Sequence, residues 1–153
     1  MSKPSYTLNL KPIPVNTAKR PRAAASGALP GRRKFAFGYF FEKRAGKTFR
    51  ELAEEYEPYL DEVYFPWPGL QSAREIKGDP EQQRKSLIDD LRFCRLTGMR
   101  LDLLMNATCY GDTSFTVTQK DDFLANLKLL GKAGIMPEIV TTTSPYIATV
   151  AKQ

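Results

Sequence analysis

Between residues 35 and 145, short apolar runs alternate with longer amphipathic ones. FAFGYFF (35–41), VYFPW (63–67), LDLLMN (101–106) and EIVTTT (138–143) have the length and composition of strands. Three segments of helical period lie between them. Strand–crossover–strand connections are right-handed, so this order predicts four parallel strands whose following loops gather at one end. The first run is apolar on both faces, as a strand buried on both sides would be.

Local punctuation supports the helices. Thr48, with Glu51 three residues on, reads as a capping box, and the helix places Phe49, Leu52, Ala53 and Tyr56 on one face. Pro58 should end or kink it. Asp79-Pro80 with Gln82 opens the second helix, whose apolar face is Leu87, Leu91 and Cys94; Gly98 is its stop. Thr118 with Asp121 opens the third, with Phe123, Leu127 and Leu130 buried and Gly131 and Gly134 closing it. Ser144-Pro145 is an N-cap followed by proline at the first helical position. The expected fold is therefore α/β: a parallel (βα)4 half-barrel over residues 35–153, resembling the first half of a TIM barrel. A half-barrel leaves two strand edges and one face uncovered, so a homodimer or a complementary half-barrel is the expected partner.

Charge divides the chain. Residues 1–34 carry eight basic side chains, five prolines and no acid. The remainder has 15 basic and 17 acidic residues, a net charge of −2. The leader is expected to be disordered or loosely docked, either solvated, or a targeting arm, or in weak contact with RNA through AKRPR and GRRK. No apolar run approaches the ~18 residues needed to span a membrane. The chain has two cysteines and no histidine. That excludes Ser-His and Cys-His nucleophile pairs, a disulfide framework and a four-ligand zinc site. No metal is expected, and a reduced, cytoplasmic setting is.

The common loop end would gather Tyr39, Glu42, Trp67, Ser72, Arg74, Asn106, Cys109, Tyr110, Asp112, Thr142, Thr143 and Ser144. Ligands of α/β folds bind there. Arg74 offers a guanidinium fork for a carboxylate or phosphate, or a salt bridge to a neighbour. Trp67, in a long loop, serves a ligand or lids the core. Asn106 orients a substrate group or satisfies loop backbone. Cys109 is a candidate thiolate or ligand, and Cys94 a core thiol. Glu42 and Asp112 are candidate acid–base groups. Thr142, Thr143 and Ser144 form an anion seat or an ordinary N-cap.

LQSAR (70–74), LDLLMNATCYGD (101–112) and EIVTTTSPYIA (138–148) resemble segments of the collagenase-like peptidases of unassigned catalytic type. The resemblance implies a (β/α) barrel of roughly twice this folded length, of which this chain would be the N-terminal half. It implies a hydrolase, or a protein tied to hydroxylation of RNA bases or quinone precursors, binding a small anionic or peptide ligand. Some relatives carry an iron–sulfur cluster on cysteines of the later half. No such cysteine quartet stands in this sequence, so no cofactor is expected in this chain.

Overall fold

Parallel pairing in sequence order builds the sheet. The structure, a computed structural model, describes residues 35–73, 76 and 78–152. Its four strands are β1 (Phe35–Gly38), β2 (Leu60–Pro66), β3 (Arg100–Met105) and β4 (Ile139–Thr142). They pair in the order β1-β2-β3-β4, each parallel to the next. Between and after them lie α1 (Phe49–Tyr56), α2 (Pro80–Leu96), α3 (Val117–Lys132) and α4 (Pro145–Val150). This is an α/β fold with the arrangement of a (βα)4 half-barrel. The leader of residues 1–34, with its proposed RNA contact, lies outside the described residues, as does Arg74.

Register decides what each face of the sheet does. Phe37 aligns with Val63 and Val63 with Leu101; Phe65 aligns with Leu103 and Leu103 with Val140. All of these pack with the helices, against Leu87, Leu91, Cys94, Phe123 and Leu130. Each Leu or Phe wholly buried there contributes about 1.5–3 kcal/mol. Successive strand residues point to opposite faces, so the other face carries different chemistry. It presents Gly38, Tyr64, Asp102 and Ile139 in one row, and Pro66, Leu104 and Thr141 in the next. Leu104 among them is only 5% exposed, yet none of these belongs to the cluster that packs with the helices. Consecutive right-handed crossovers put the described helices on one side of the sheet, and on the second face Pro66, Asp102 and Leu104 are nevertheless buried. The Tyr64 ring lies over Gly38, where a Cβ would come within 2.6 Å of it.

The caps form as expected at three helices. Thr48 and Glu51 make both bonds of the capping box, and Glu51 is held below its usual pKa by the Thr48 N–H and hydroxyl. Asp79 accepts from the amides of Glu81 and Gln82, and Ser144 Oγ from that of Ile147.

Several boundaries differ from expectation. The first strand ends at Gly38 rather than Phe41; the Tyr39 N–H still donates to the Tyr64 carbonyl of β2 at 2.9 Å, while the Tyr39 and Phe40 rings pack around Phe49, with centroids 4.5 and 5.6 Å away. β2 begins at Leu60 rather than Val63, since a short 3-10 turn at Glu57–Tyr59, holding Pro58, feeds straight into it. Tyr56, expected on the buried face of α1, is 47% exposed at the last turn. α3 is capped by Thr116, not Thr118: Thr116 Oγ1 accepts from the Gln119 amide at 3.1 Å. β4 is only Ile139–Thr142, and Ile135 ahead of it is buried in the core.

The β1–α1 loop contains a two-residue turn. Arg44 and Lys47 exchange backbone hydrogen bonds of 2.9 and 3.0 Å across Ala45 and Gly46. Both central residues have positive φ, 49° and 78°, the mark of a type I′ turn, which favours Asn-Gly. An alanine in the left-handed region is strained, so Ala45→Asn should raise stability by about 1 kcal/mol, read from urea unfolding.

Candidate functional site

The carboxyl ends of the strands are joined by side chains rather than left as free loops. The loop after β2 is tied to the end of β3 where the Ala73 N–H donates to Asn106 Oδ1 at 3.2 Å. Arg84 braces the start of the same loop through two bonds to the Pro68 carbonyl, at 2.8 and 3.2 Å. Tyr110, buried, donates its hydroxyl to the Met105 carbonyl and lies 3.4 Å from Thr142 Oγ1. Thr142 Oγ1 also accepts from the Ser144 amide at 3.0 Å. Thr143 Oγ1 donates to the Ala107 carbonyl at 2.7 Å. Three loops thus meet in one hydrogen-bonded assembly built on Asn106, Tyr110, Thr142, Thr143 and Ser144.

The remaining sequence candidates divide. Trp67 is 1% exposed, and its indole N–H donates to Asn126 Oδ1 at 2.7 Å. Of its two expected roles, the structure gives it the core one: a hydrogen-bonded lid pinned to α3. Ser72 is half-buried in the tethered loop. Glu42, Cys109 and Asp112 are exposed, and Cys109 Sγ accepts only from the Gly111 amide, at 3.3 Å. Ser144 spends its hydroxyl on the α4 cap. Among the described residues, no group of three or more His, Cys, Asp or Glu side chains is placed to hold a metal ion. No described helix is long and apolar enough to cross a membrane.

Tyr39 joins a different cluster. Its hydroxyl donates to Asp90 Oδ2 at 3.1 Å, and Arg50 Nε donates to Asp90 Oδ1 at 3.1 Å. Arg50 also reaches the Asp89 carbonyl and lies 4.4 Å over the Phe93 ring. A groove of about 450 Å³ opens here, between the first turn of α1 and α2, with Tyr39, Phe41, Arg50 and Asp89 on its walls. Burial and the Asp90 carboxylate raise the Tyr39 phenol well above its usual pKa. Burial, with Asp90 beside it, pushes the Cys94 thiol up from 9.0 to about 12.

Sequence reasoning missed two residues at the strand ends. Gln119, on the first turn of α3, is buried, yet neither atom of its carboxamide has a hydrogen-bond partner. Its signal was present: Thr116-x-x-Gln119 has the spacing of a capping box, and Gln119 stands four residues before Phe123 on the buried stripe. Phe115 is 68% exposed with φ at 64°. A bulky residue in the left-handed region carries about 1–3 kcal/mol of strain, which sequence pattern does not foretell.

Comparison of the chain with protein-family models, with curated proteins and with solved structures finds no match.

The buried thiol and phenol give a pH dependence with a definite sign. Both groups hold their protons more tightly when folded, so their contribution is complete below the ordinary thiol value of 9.0 and is lost as pH rises toward about 12. The urea midpoint should fall over that window, and more shallowly in Cys94→Ala. In the native protein at neutral pH, Ellman's reagent should titrate Cys109 alone.

Proposed function

We propose that this chain is a ligand-binding half-barrel akin to the collagenase-like peptidases, taking a small anionic or peptide ligand at the carboxyl ends of β3 and β4. The observation that carries this is the assembly at those ends: three loops held by side-chain hydrogen bonds, at the end where parallel α/β folds bind ligands. A rigid platform loses little freedom when a ligand arrives. Arg74 follows Ala73 in the loop tethered to Asn106 and is the proposed source of positive charge.

Binding is proposed rather than hydrolysis. Hydrolysis needs an activated nucleophile or a positioned base. The chain has no histidine, and the exposed Cys109 thiol is contacted by a backbone amide, not by a base. In an NMR titration with phosphate and with short peptides, at least one should give saturable shifts at Asn106, Tyr110 and Ser144. Arg74→Ala should weaken the phosphate response about tenfold or more. Shifts scattered over the helix layer, or none at the strand ends with any of these ligands, would sink the proposal.

The sheet face without a helical layer supports a second reading, a self-associating half-barrel. Parallel sheets are normally covered on both faces. Among the described residues one face, with Tyr64, Leu104 and Ile139 on it, has no helical layer, and β1 and β4 are the outer strands. The chain should sediment as a dimer at micromolar concentration, and Tyr64→Glu should shift it toward monomer. A well-folded native monomer under those conditions is the contrary result.

A further inference from the structure

Gln119 is 8% exposed, and neither Oε1 nor Nε2 has a partner. In a Thr-x-x-Gln capping box the glutamine turns back onto the N-cap N–H. Here the Thr116 hydroxyl accepts from the Gln119 amide, but the carboxamide does not return the bond. Folded proteins leave few buried polar groups in this condition, and each one asks for a reason. Gln119 lies on the same buried stripe as Phe123 and Leu130. Helix side chains lean toward the helix N-terminus, and the N-terminus of α3 lies at the carboxyl ends of the strands. Gln119 therefore stands at the end of α3 nearest the mouth formed by the loops after β3 and β4.

Apolar surface borders that mouth. Phe115 and Val117, flanking the N-cap, are 68% and 69% exposed. The Phe115 ring lies 6.0 Å from that of Tyr146, which brings in the first turn of α4. Phe115 precedes the N-cap, where an apolar residue ordinarily packs down on the fourth helical residue. That residue is Lys120, so the ring has no such seat and stands out at the rim.

A carboxamide presents a donor and an acceptor side by side. An anion would satisfy the donor and leave the acceptor orphaned. Another amide satisfies both. We infer that Gln119, with Phe115 and Tyr146 at its rim, forms a subsite for a peptide amide that carries an apolar side chain. This rests on the proposed ligand binding at the strand ends and selects the peptide over the small anion as its ligand.

The test uses the full chain, with N-acetyl-leucinamide and inorganic phosphate as separate probes. The blocked amide should shift the Gln119 side-chain NH2 resonances saturably. Gln119→Leu removes two unsatisfied atoms from a buried position, so it should melt at or above the native temperature while binding the blocked amide about tenfold or more weakly. Phe115→Ala should also weaken the blocked amide and leave any phosphate response unchanged. Equal affinity in Gln119→Leu overturns the subsite, and so does a lowered melting temperature, which would mean that the carboxamide is already bonded. A phosphate response at Asn106 and Ser144 without an amide response overturns the subsite and leaves ligand binding at the strand ends standing. No response to either probe, nor to the short peptides, overturns both.

Discussion

The pairing of β2 with β3 governs what the rest of the molecule can do. Val63 beside Leu101 and Phe65 beside Leu103 put four wholly buried side chains on one face, under α2 and α3. Because strand side chains alternate, a slip of β3 by one residue would turn Leu101 and Leu103 away from the helices and bring Asp102 against them. Asp102 is only 5% exposed where it stands, but there it accepts from the Thr141 N–H and hydroxyl; the slip would bury it without those bonds, which disfavours that register. Everything at the carboxyl ends inherits its position from that choice. Trp67, directly after β2, lands under α3 with its indole N–H opposite Asn126. Asn106, directly after β3, lands where it can hold Ala73.

Two kinds of polar group meet at the strand ends, and they differ in what remains to be satisfied. The hydroxyls of Tyr110, Thr142, Thr143 and Ser144 each contact a backbone or side-chain partner across or within the loops. They are architecture, and they fix the loop geometry. Gln119 is the contrary case, with its hydrogen-bonding capacity unused. The groove around Tyr39 shows the same distinction. Its charged groups, Arg50 and Asp90, already satisfy each other, which argues for a structural brace between α1 and α2.

What could be read beforehand was what local chemistry decides. Thr48, Asp79 and Ser144 cap their helices because a side-chain oxygen two or three residues before an amide suffices for the bond. Cys94 and Leu91 were legible as core from helical spacing alone. Three-dimensional packing decided the rest. Tyr39 continues the apolar run of β1 and its N–H still reaches β2, yet its ring packs on Phe49 and its hydroxyl on Asp90, 51 residues later. Trp67 carried no local sign that Asn126, 59 residues later, would take its N–H. Thr118 is the cap that the sequence reading expects for α3, but Thr116 takes that place, through a Thr-x-x-Gln spacing as local as the other caps. The candidates at Glu42, Cys109 and Asp112 were grouped by topology, but each side chain is exposed on its own loop.

Asp102 has a further bearing on how the last strand is held. Its carboxylate takes both the backbone N–H and the hydroxyl of Thr141, at 3.0 and 2.7 Å, on the sheet's last strand. Asp102 stands on β3, so the Thr141 N–H that it holds faces β3, inside the sheet. The carboxylate thus fastens the sheet's last strand by side-chain bonds in addition to the backbone ladder, at a position only 5% exposed.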